Sequence, residues 1–214
     1  MSESVLPYLL RVGAIAGALV LWFWTQRLIS RKAPPASTTG LGDRVHDWTA
    51  PWLDWLHARP QAANGLLIVT SALIDLCGLA LLVVSVFGST LRPFLALILL
   101  FGCRQICQLL ITLPPPPRII WRDPGFPSLL VTYGVSNDFF FSGHTAIAFL
   151  GAIEVAQLGH PLLTAAAFFV AAGQALAVLV LRAHYTMDVV AAVFAAFGCS
   201  ALATRLAPTV DAWL

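Results

Sequence analysis

Long apolar stretches recur along the chain and predict membrane-spanning helices. A spanning helix needs about 20 mainly apolar residues, and six stretches approach that length. They comprise residues 9–24, 65–87, 94–113, 142–158, 162–181 and 184–206. Their length favours helices, because the strands of membrane barrels have about 9–11 residues and alternate in polarity. We therefore expect an all-α, polytopic membrane protein built as a six-transmembrane-helix bundle.

Two longer connections, at residues 30–64 and 114–141, separate these stretches. Residues 30–64 begin with a linker rich in proline, glycine and threonine and continue at 43–57, where Trp48, Trp52, Trp55 and Leu56 recur at helical spacing. This spacing predicts an amphipathic helix in the membrane interface, where tryptophan is enriched; a loop helix packed on the bundle is the alternative. We divide the chain into residues 1–63, with the first spanning helix, linker and interfacial helix, and a five-helix membrane core at 64–214, together one domain.

Composition supports a membrane protein and excludes other classes. Hydrophobic residues make up 59 % of the chain and charged residues 10 %, against about 45–50 % and 25 % in soluble proteins. A net charge of +2 without a basic cluster excludes a nucleic-acid partner. The four cysteines lack the spacing of metal ligands, so we expect no metal site and no cofactor.

Three polar clusters interrupt the apolar pattern near predicted helix ends. Arg104 and residues 112–114 close the third stretch, residues 138–145 open the fourth, and residues 182–189 open the sixth. Consecutive spanning helices alternate in direction, so all three clusters should lie at one membrane face. Polar groups at membrane depth are costly and therefore indicate function.

The residue types in these clusters predict phosphoryl transfer without a metal. His184 and Asp188 are four apart and share a helix face, so the carboxylate can fix the imidazole tautomer and leave one nitrogen as a nucleophile. His144 opens a helix whose free N–H groups favour an anion, after a tight turn at Ser142 and Gly143. We expect His184 to attack phosphorus and His144 to act as general acid and base.

The three clusters resemble motifs of the type 2 phosphatidic acid phosphatase superfamily, in its sphingomyelin synthase-like branch. An arginine-led motif ending in Thr-Leu-Pro-x-Pro is matched from Arg104 to Pro116, Asp-x-x-x-Ser-Gly-His-Thr by residues 138–145, and His-Tyr-Thr-x-Asp-Val by residues 184–189. Plant phosphatidylcholine:diacylglycerol cholinephosphotransferases share similar forms of the first and third motifs. Val178 occupies the place of an arginine of the classical phosphatase branch, which weakens the case for hydrolysis.

The resemblance implies a six-helix bundle, a histidine–histidine–aspartate triad and a phosphohistidine intermediate. It assigns the nucleophile to His184, the acid and base to His144, and the orienting carboxylate to Asp188. Further residues of the motifs are predicted to bind substrate: Arg104, Asp138, Ser142, Gly143, Thr145, Arg182, Tyr185 and Thr186. Two of these, Thr145 and Thr186, have the alternative of only capping helices.

The predicted function is transfer of a phospho-headgroup, with phosphocholine preferred, from a glycerophospholipid to a lipid hydroxyl such as that of diacylglycerol or ceramide. The partners are thus membrane lipids, a phospholipid donor and a lipid-alcohol acceptor. A lipid phosphate phosphatase, with water as acceptor, is one alternative. A non-catalytic transporter or scaffold is the alternative from another class.

Four polar residues outside the clusters have more than one interpretation. Asp75 and Glu154 lie deep in predicted spanning helices; Glu154 could share a proton with Asp75 or bind a choline ammonium, and the alternative, which we prefer, is that they join helices. Arg118 and Arg122 could hold a substrate phosphate or contact anionic lipid, the usual role of arginines near a membrane.

Overall fold

The computed structural model describes residues 5–31, 40–131, 133 and 139–213. These residues form seven α-helices and no strand. The helices are α1 (Leu6–Ser30), α2 (Arg44–His57), α3 (Pro60–Phe87), α4 (Arg92–Leu110), α5 (Gly143–Ala156), α6 (Pro161–Val180) and α7 (Thr186–Asp211).

Five of the helices, α1, α3, α4, α6 and α7, are long and apolar enough to cross a membrane. The predicted fourth span is shorter than expected, because α5 has only 14 residues. At 1.5 Å per residue it is about 21 Å long, less than the roughly 30 Å hydrocarbon core. Ser142 caps its start and Gly159, in the left-handed region at φ +71°, turns the chain after its end. The fold is therefore an all-helical bundle with five candidate spans and one shorter apolar helix.

Helix α5 lies at the centre of the bundle and packs against α3, α4, α6 and α7. Small side chains make this possible, since Ala146 on α5 and Ala192, Ala196 and Ala203 on α7 are all buried in one apolar cluster. Small residues let helix backbones approach closely, which is a common way of packing helices in membranes. The central position of α5 brings its first turn between the ends of α4 and α7.

The predicted amphipathic helix is present as α2, and Asp43 caps its N-terminus through the backbone N–H groups of Val45 and His46. Trp48, at 76 % exposure, shares the outward face with the other two tryptophans. The assignment of Leu56 to this face was wrong. Leu56 is buried against α6 together with Leu53, its neighbour three residues earlier on the helix.

Asp75 and Glu154 each have their own partners. Glu154 forms a two-point ion pair with Arg92, at 2.8 and 2.5 Å, which joins the end of α5 to the start of α4. Asp75 accepts hydrogen bonds from the backbone N–H groups of Leu129 and Leu130, at 2.8 and 2.9 Å. Asp75 and Glu154 do not pair with each other, and both join segments of the chain, as preferred from the sequence.

These bonds also fix the course of the long connection between α4 and α5. Non-helical backbone at membrane depth needs partners for its polar groups, and Asp75 in the middle of α3 supplies them. Leu130 packs on Gly78, which has no side chain to exclude it. The described part of the connection therefore folds back against α3, and residues 132 and 134–138 lie outside the described residues. The linker at 32–39 lies outside the described residues.

Candidate active site

The three predicted polar clusters meet at one end of the bundle, as their order along the chain predicts. Arg104 Nε on α4 donates to the carbonyl of Phe141, which precedes α5, at 3.0 Å. The N–H of Ser142 donates to the carbonyl of Asp188 on α7, at 3.2 Å. The Tyr185 hydroxyl donates to the carbonyl of Pro114, beyond the end of α4, at 3.1 Å. Direct hydrogen bonds thus tie the clusters together.

The imidazole of His184 is oriented by acceptors at its Nδ1 atom. The carbonyl oxygen of Phe139 lies 2.7 Å from Nδ1, and Oδ2 of Asp188 lies 3.6 Å from it. A carbonyl oxygen can only accept, so Nδ1 carries the proton in the neutral ring. The lone pair of His184 is therefore on Nε2. The backbone carbonyl of Phe139 makes the direct hydrogen bond. The carboxylate of Asp188 lies beyond hydrogen-bond distance and adds negative charge near the ring.

Asp188 also begins helix α7. Its Oδ2 accepts the backbone N–H of Tyr185 at 2.9 Å, in a capping box at the first turn. The side chain is buried, and Oδ1 has no hydrogen-bond partner within the described part of the chain. The carboxylate thus holds the turn that carries His184 and places charge beside its ring.

His144 lies in the first turn of α5, where Ser142 is the N-cap and accepts the N–H of Thr145. The ring is 7 % exposed, and Trp121 contacts it edge-on with centroids 5.2 Å apart. Its Nε2 has no hydrogen-bond partner among the residues described. A buried imidazole nitrogen at a helix N-terminus is well placed to exchange a proton with a bound anion.

Gly143 allows Arg104 to lie beside this turn. A Cβ atom at position 143 would stand 3.3 Å from Arg104 Nε, closer than ordinary contacts between such atoms. The guanidinium is buried and packed against the start of α5. Its positive charge is therefore next to the helix N-terminus, where both favour an anion.

A small pocket of about 50 Å³ joins these groups. His144, His184, Arg104 and Gly143 line it, together with apolar and amide side chains from α1 and the loop, among them Trp22, Gln26, Trp121, Leu130 and Phe139. In the described ranges no three His, Cys, Asp or Glu residues are grouped to hold a metal ion. The pocket combines two imidazoles, a guanidinium and helix N–H groups, which suits a phosphate group.

Several predicted substrate-binding residues have structural partners instead of lining this pocket. Ser142 and Thr145 bond to each other at the cap of α5. Arg182 donates to the carbonyl of His46 on α2 at 2.9 Å. Thr186 donates from its backbone and its hydroxyl to Asp43, at 2.7 and 2.8 Å. These residues therefore stabilise the segments around the pocket. Asp138 lies outside the described residues.

The two outer arginines also have partners away from the pocket. Arg118 forms an exposed ion pair with Asp54 on α2 at 2.6 Å. Arg122 donates to the side chain of Asn64 on α3 at 2.8 Å. Each therefore ties the connection after α4 to a helix.

Helix α2 contacts the segment that carries His184, which the sequence analysis missed. His46 is buried, and its Nε2 lies 3.0 Å from the carbonyl oxygen of His184. Asp43 caps α2 and α7 at once. Burial acts to raise the pKa of the Asp43 carboxyl, but bonds from Thr186 and the charge of His46 outweigh it, and the pKa is lowered. An aspartate before an amphipathic helix is a recognisable cap signal, but nothing in the sequence links it to residue 186.

Comparison with known proteins gives one match. No curated protein and no solved structure matches the chain. The family model described as AtPDCT1/2 matches residues 43–205, which cover α2 to most of α7 and every motif named above. This is the cholinephosphotransferase branch that the motifs resemble, so that interpretation is confirmed. The chain is a multi-pass integral membrane protein and belongs to the AtPDCT1/2 family of enzymes, the phosphatidylcholine:diacylglycerol cholinephosphotransferases.

Proposed function

We propose that the protein transfers phosphocholine from phosphatidylcholine to the hydroxyl of a lipid alcohol through a phosphohistidine at His184. One observation carries the proposal. The proton of His184 is held on Nδ1 by the Phe139 carbonyl, at 2.7 Å, so Nε2 is a nucleophile in a pocket shared with His144. The family favours diacylglycerol as the acceptor, and ceramide is the second candidate.

The first step makes the intermediate. His184 Nε2 attacks phosphorus, and the bond from phosphorus to the glycerol oxygen breaks. His144, protonated beforehand, gives its proton to that oxygen, and diacylglycerol leaves. Arg104 and the N-terminus of α5 stabilise the charge on the phosphoryl oxygens. The charge of Asp188 stabilises the imidazole ring as it becomes positive.

The second step regenerates the enzyme. His144, now neutral, removes the proton from the hydroxyl of the acceptor lipid, and the resulting oxygen attacks phosphorus. The bond from phosphorus to Nε2 breaks, and His184 again has a lone pair. With diacylglycerol as acceptor, the bonds made and broken are of the same kind as in the first step, so the exchange runs in either direction. Neither step requires a metal or a cofactor.

The surroundings of the pocket favour a lipid acceptor over water. His144 and His184 are 7 % and 6 % exposed, and Trp22, Trp121 and Phe139 form part of the walls. Excluding water protects a reactive intermediate from hydrolysis. This supports transfer in preference to the phosphatase reaction, although both reactions use the same histidines.

We also propose that the chain crosses the membrane six times, with α5 as the short crossing. Helix α4 carries Arg104 at the site and Arg92 at its other end, and α5 runs between the same two levels, from His144 to Glu154. Helix α6 then begins at the far end and returns to the site. The length of α5 from His144 to Glu154, about 15 Å, is therefore close to the length of α4 from Arg92 to Arg104, about 18 Å.

A headgroup-transfer assay tests the reaction. Purified protein in mixed micelles receives choline-labelled phosphatidylcholine, with diacylglycerol or ceramide or neither, beside His184→Ala and His144→Ala. We expect label in a new lipid for the wild type, either phosphatidylcholine that carries the distinct acyl chains of the added diacylglycerol or the ceramide product, and none for either variant. Label that appears only as water-soluble phosphocholine would identify a hydrolase, and activity that survives in His184→Ala would exclude the proposed intermediate.

Trapping the intermediate separates the roles of the histidines. Without an acceptor, the wild-type protein should gain the mass of one phosphocholine on the peptide that contains His184, in a bond that acid breaks. His144→Gln should form the same adduct more slowly, because leaving-group protonation is lost. An adduct on the peptide of His144 would reverse the two assignments.

A further inference from the structure

An apolar groove between α1, α3 and α4 lies beside the site pocket. It has a volume of about 180 Å³. Trp22, Phe101 and Leu130 line both the groove and the site pocket, so the two spaces share a wall. A larger groove of about 500 Å³ between α3, α5 and α6 shares no lining residue with the site pocket. Of these two grooves, the smaller one thus adjoins the site pocket.

The dimensions of this groove match one leaflet of a membrane. Its walls on α4 run from Gln105, which follows the site residue Arg104, to Phe94, eleven residues earlier. At 1.5 Å per residue this is about 16 Å, half of the roughly 30 Å hydrocarbon core. A lipid whose headgroup lies at the site would extend its acyl chains over this distance. Apolar cavities of about 150 Å³ already accept a molecule the size of benzene.

The junction between groove and pocket holds a polar group that lacks a partner. The indole N–H of Trp22 is shielded from solvent and has no hydrogen-bond partner within the described residues. Buried indole N–H groups normally find an acceptor. Nearby, Gln105 donates to Gln26 at 3.0 Å, which joins α4 to α1. The ester carbonyl of a glycerolipid lies between headgroup and acyl chain, and Trp22 lies at the corresponding place because it lines both the pocket and the groove.

We infer that the groove between α1, α3 and α4 holds one acyl chain of the lipid substrate, and that the Trp22 N–H donates to its ester carbonyl. The inference rests on the proposed function for the identity of the lipid. Helix α1 lies outside the region matched by the family, at residues 43–205. It would supply the outer wall of the groove through Trp22 and its neighbours.

Gly102 provides a way to fill the groove. It lines the groove on α4, and a Cβ atom there would meet nothing within 4 Å. The Cβ atom of Gly102→Phe therefore enters open space, and its ring adds bulk to the wall of the groove. Gly198→Phe is the matched control, because Gly198 is also an exposed helical glycine with open space and lines neither space.

The experiment uses phosphatidylcholine with a photoreactive group at one acyl chain and a label in the choline. It is incubated with the full-length protein in detergent micelles, and cross-linked residues and headgroup transfer are both measured. We expect saturable cross-links at the α1 and α4 walls of the groove. Gly102→Phe should reduce these by about tenfold, and Gly198→Phe should leave them unchanged.

The two readouts distinguish the two proposals. Cross-links spread evenly over the outer helix faces, or unaffected by Gly102→Phe, would overturn the groove assignment. Groove cross-links without any headgroup transfer would support the groove and reject the proposed reaction. Trp22→Phe tests the donor: its KM should rise for ester-linked phosphatidylcholine and not for the ether-linked analogue, and an equal rise for both would exclude the hydrogen bond.

Discussion

The backbone carbonyl of Phe139 lies closer to His184 Nδ1 than the carboxylate of Asp188 does, at 2.7 against 3.6 Å. In a triad where the carboxylate alone fixes the tautomer, Asp→Asn slows turnover by about 10⁴-fold. We expect Asp188→Asn to slow turnover less, by about 10²-fold, because the carbonyl still holds the proton on Nδ1 while the negative charge is lost.

Steady-state transfer assays and thermal unfolding of Asp188→Asn check this. The amide oxygen can still accept the N–H of Tyr185, so the cap of α7 and the unfolding temperature should change little. If turnover instead slows by the full factor of about 10⁴, then Asp188, and not Phe139, controls the tautomer.

The contact between Gly143 and Arg104 is a second feature that positions the proposed site. In Gly143→Ala the new methyl group would meet Arg104 Nε at 3.3 Å, and the guanidinium must move by a few tenths of an ångström. We expect kcat/KM to fall about tenfold, since small displacements of positioning groups are costly. The unfolding temperature should not fall, because alanine favours helix over glycine.

Gly198→Ala is the matched control for this substitution. It makes the same change in the middle of α7, where the methyl group meets nothing within 4 Å. Its kcat/KM should equal that of the wild type. If both variants lose activity equally, contact with Arg104 is not the cause.

At the scale of elements, Asp43 joins α2 to α7 by accepting N–H groups from both helices. Asp43→Asn keeps one acceptor oxygen and loses the charge. We expect it to lower the free energy of unfolding by about 1–2 kcal/mol at neutral pH. It should also lower kcat, because α2 contacts the backbone of His184 through His46.

The pH dependence of this effect follows from the lowered pKa of Asp43. A carboxyl whose pKa is lower in the folded state stabilises the protein above its unfolded value, about 3.9. That contribution is lost as the pH falls through the folded value. Unfolding temperatures of wild type and Asp43→Asn should thus differ by a constant amount above about pH 5 and converge at more acidic pH. A difference that persists in acid would rule out the charge as its source.

The elements differ in how far the sequence could predict them. The α2 helix, its cap and its exposed tryptophans follow from local signals, and so do the starts of α5 and α7 beside His144 and Asp188. Hydropathy overestimated α5, because its apolar pattern continues to residue 158 while the helix ends before the left-handed Gly159. The face of Leu56 was misjudged because an apolar side chain suits both a membrane and a protein core.

At the scale of the whole molecule, the alternating direction of consecutive spanning helices was enough to predict that the three motifs meet. The partners of His184 were harder to predict. A backbone carbonyl such as that of Phe139 has no residue-type signature, and the contact from His46 crosses 138 positions of sequence. The walls from α1 could not be predicted either, because Trp22 and Gln26 look like ordinary residues of an apolar helix.

The proposed catalytic residues lie at one end of the bundle, and an ion pair lies at the other. Arg92 and Glu154 are only 15 % and 12 % exposed and bond at two points, while Glu154 lies ten residues, about 15 Å, along α5 from His144. Removing one partner leaves a poorly solvated charge, so Arg92→Gln and Glu154→Gln should each lower the free energy of unfolding by roughly 2–4 kcal/mol. The double variant should lose less stability than the sum of the losses in the two single variants. Its turnover should stay within about twofold of the wild type. Denaturant unfolding in detergent and the transfer assay measure both quantities. A variant that keeps its stability but loses turnover would instead show that this end of the bundle controls the reaction.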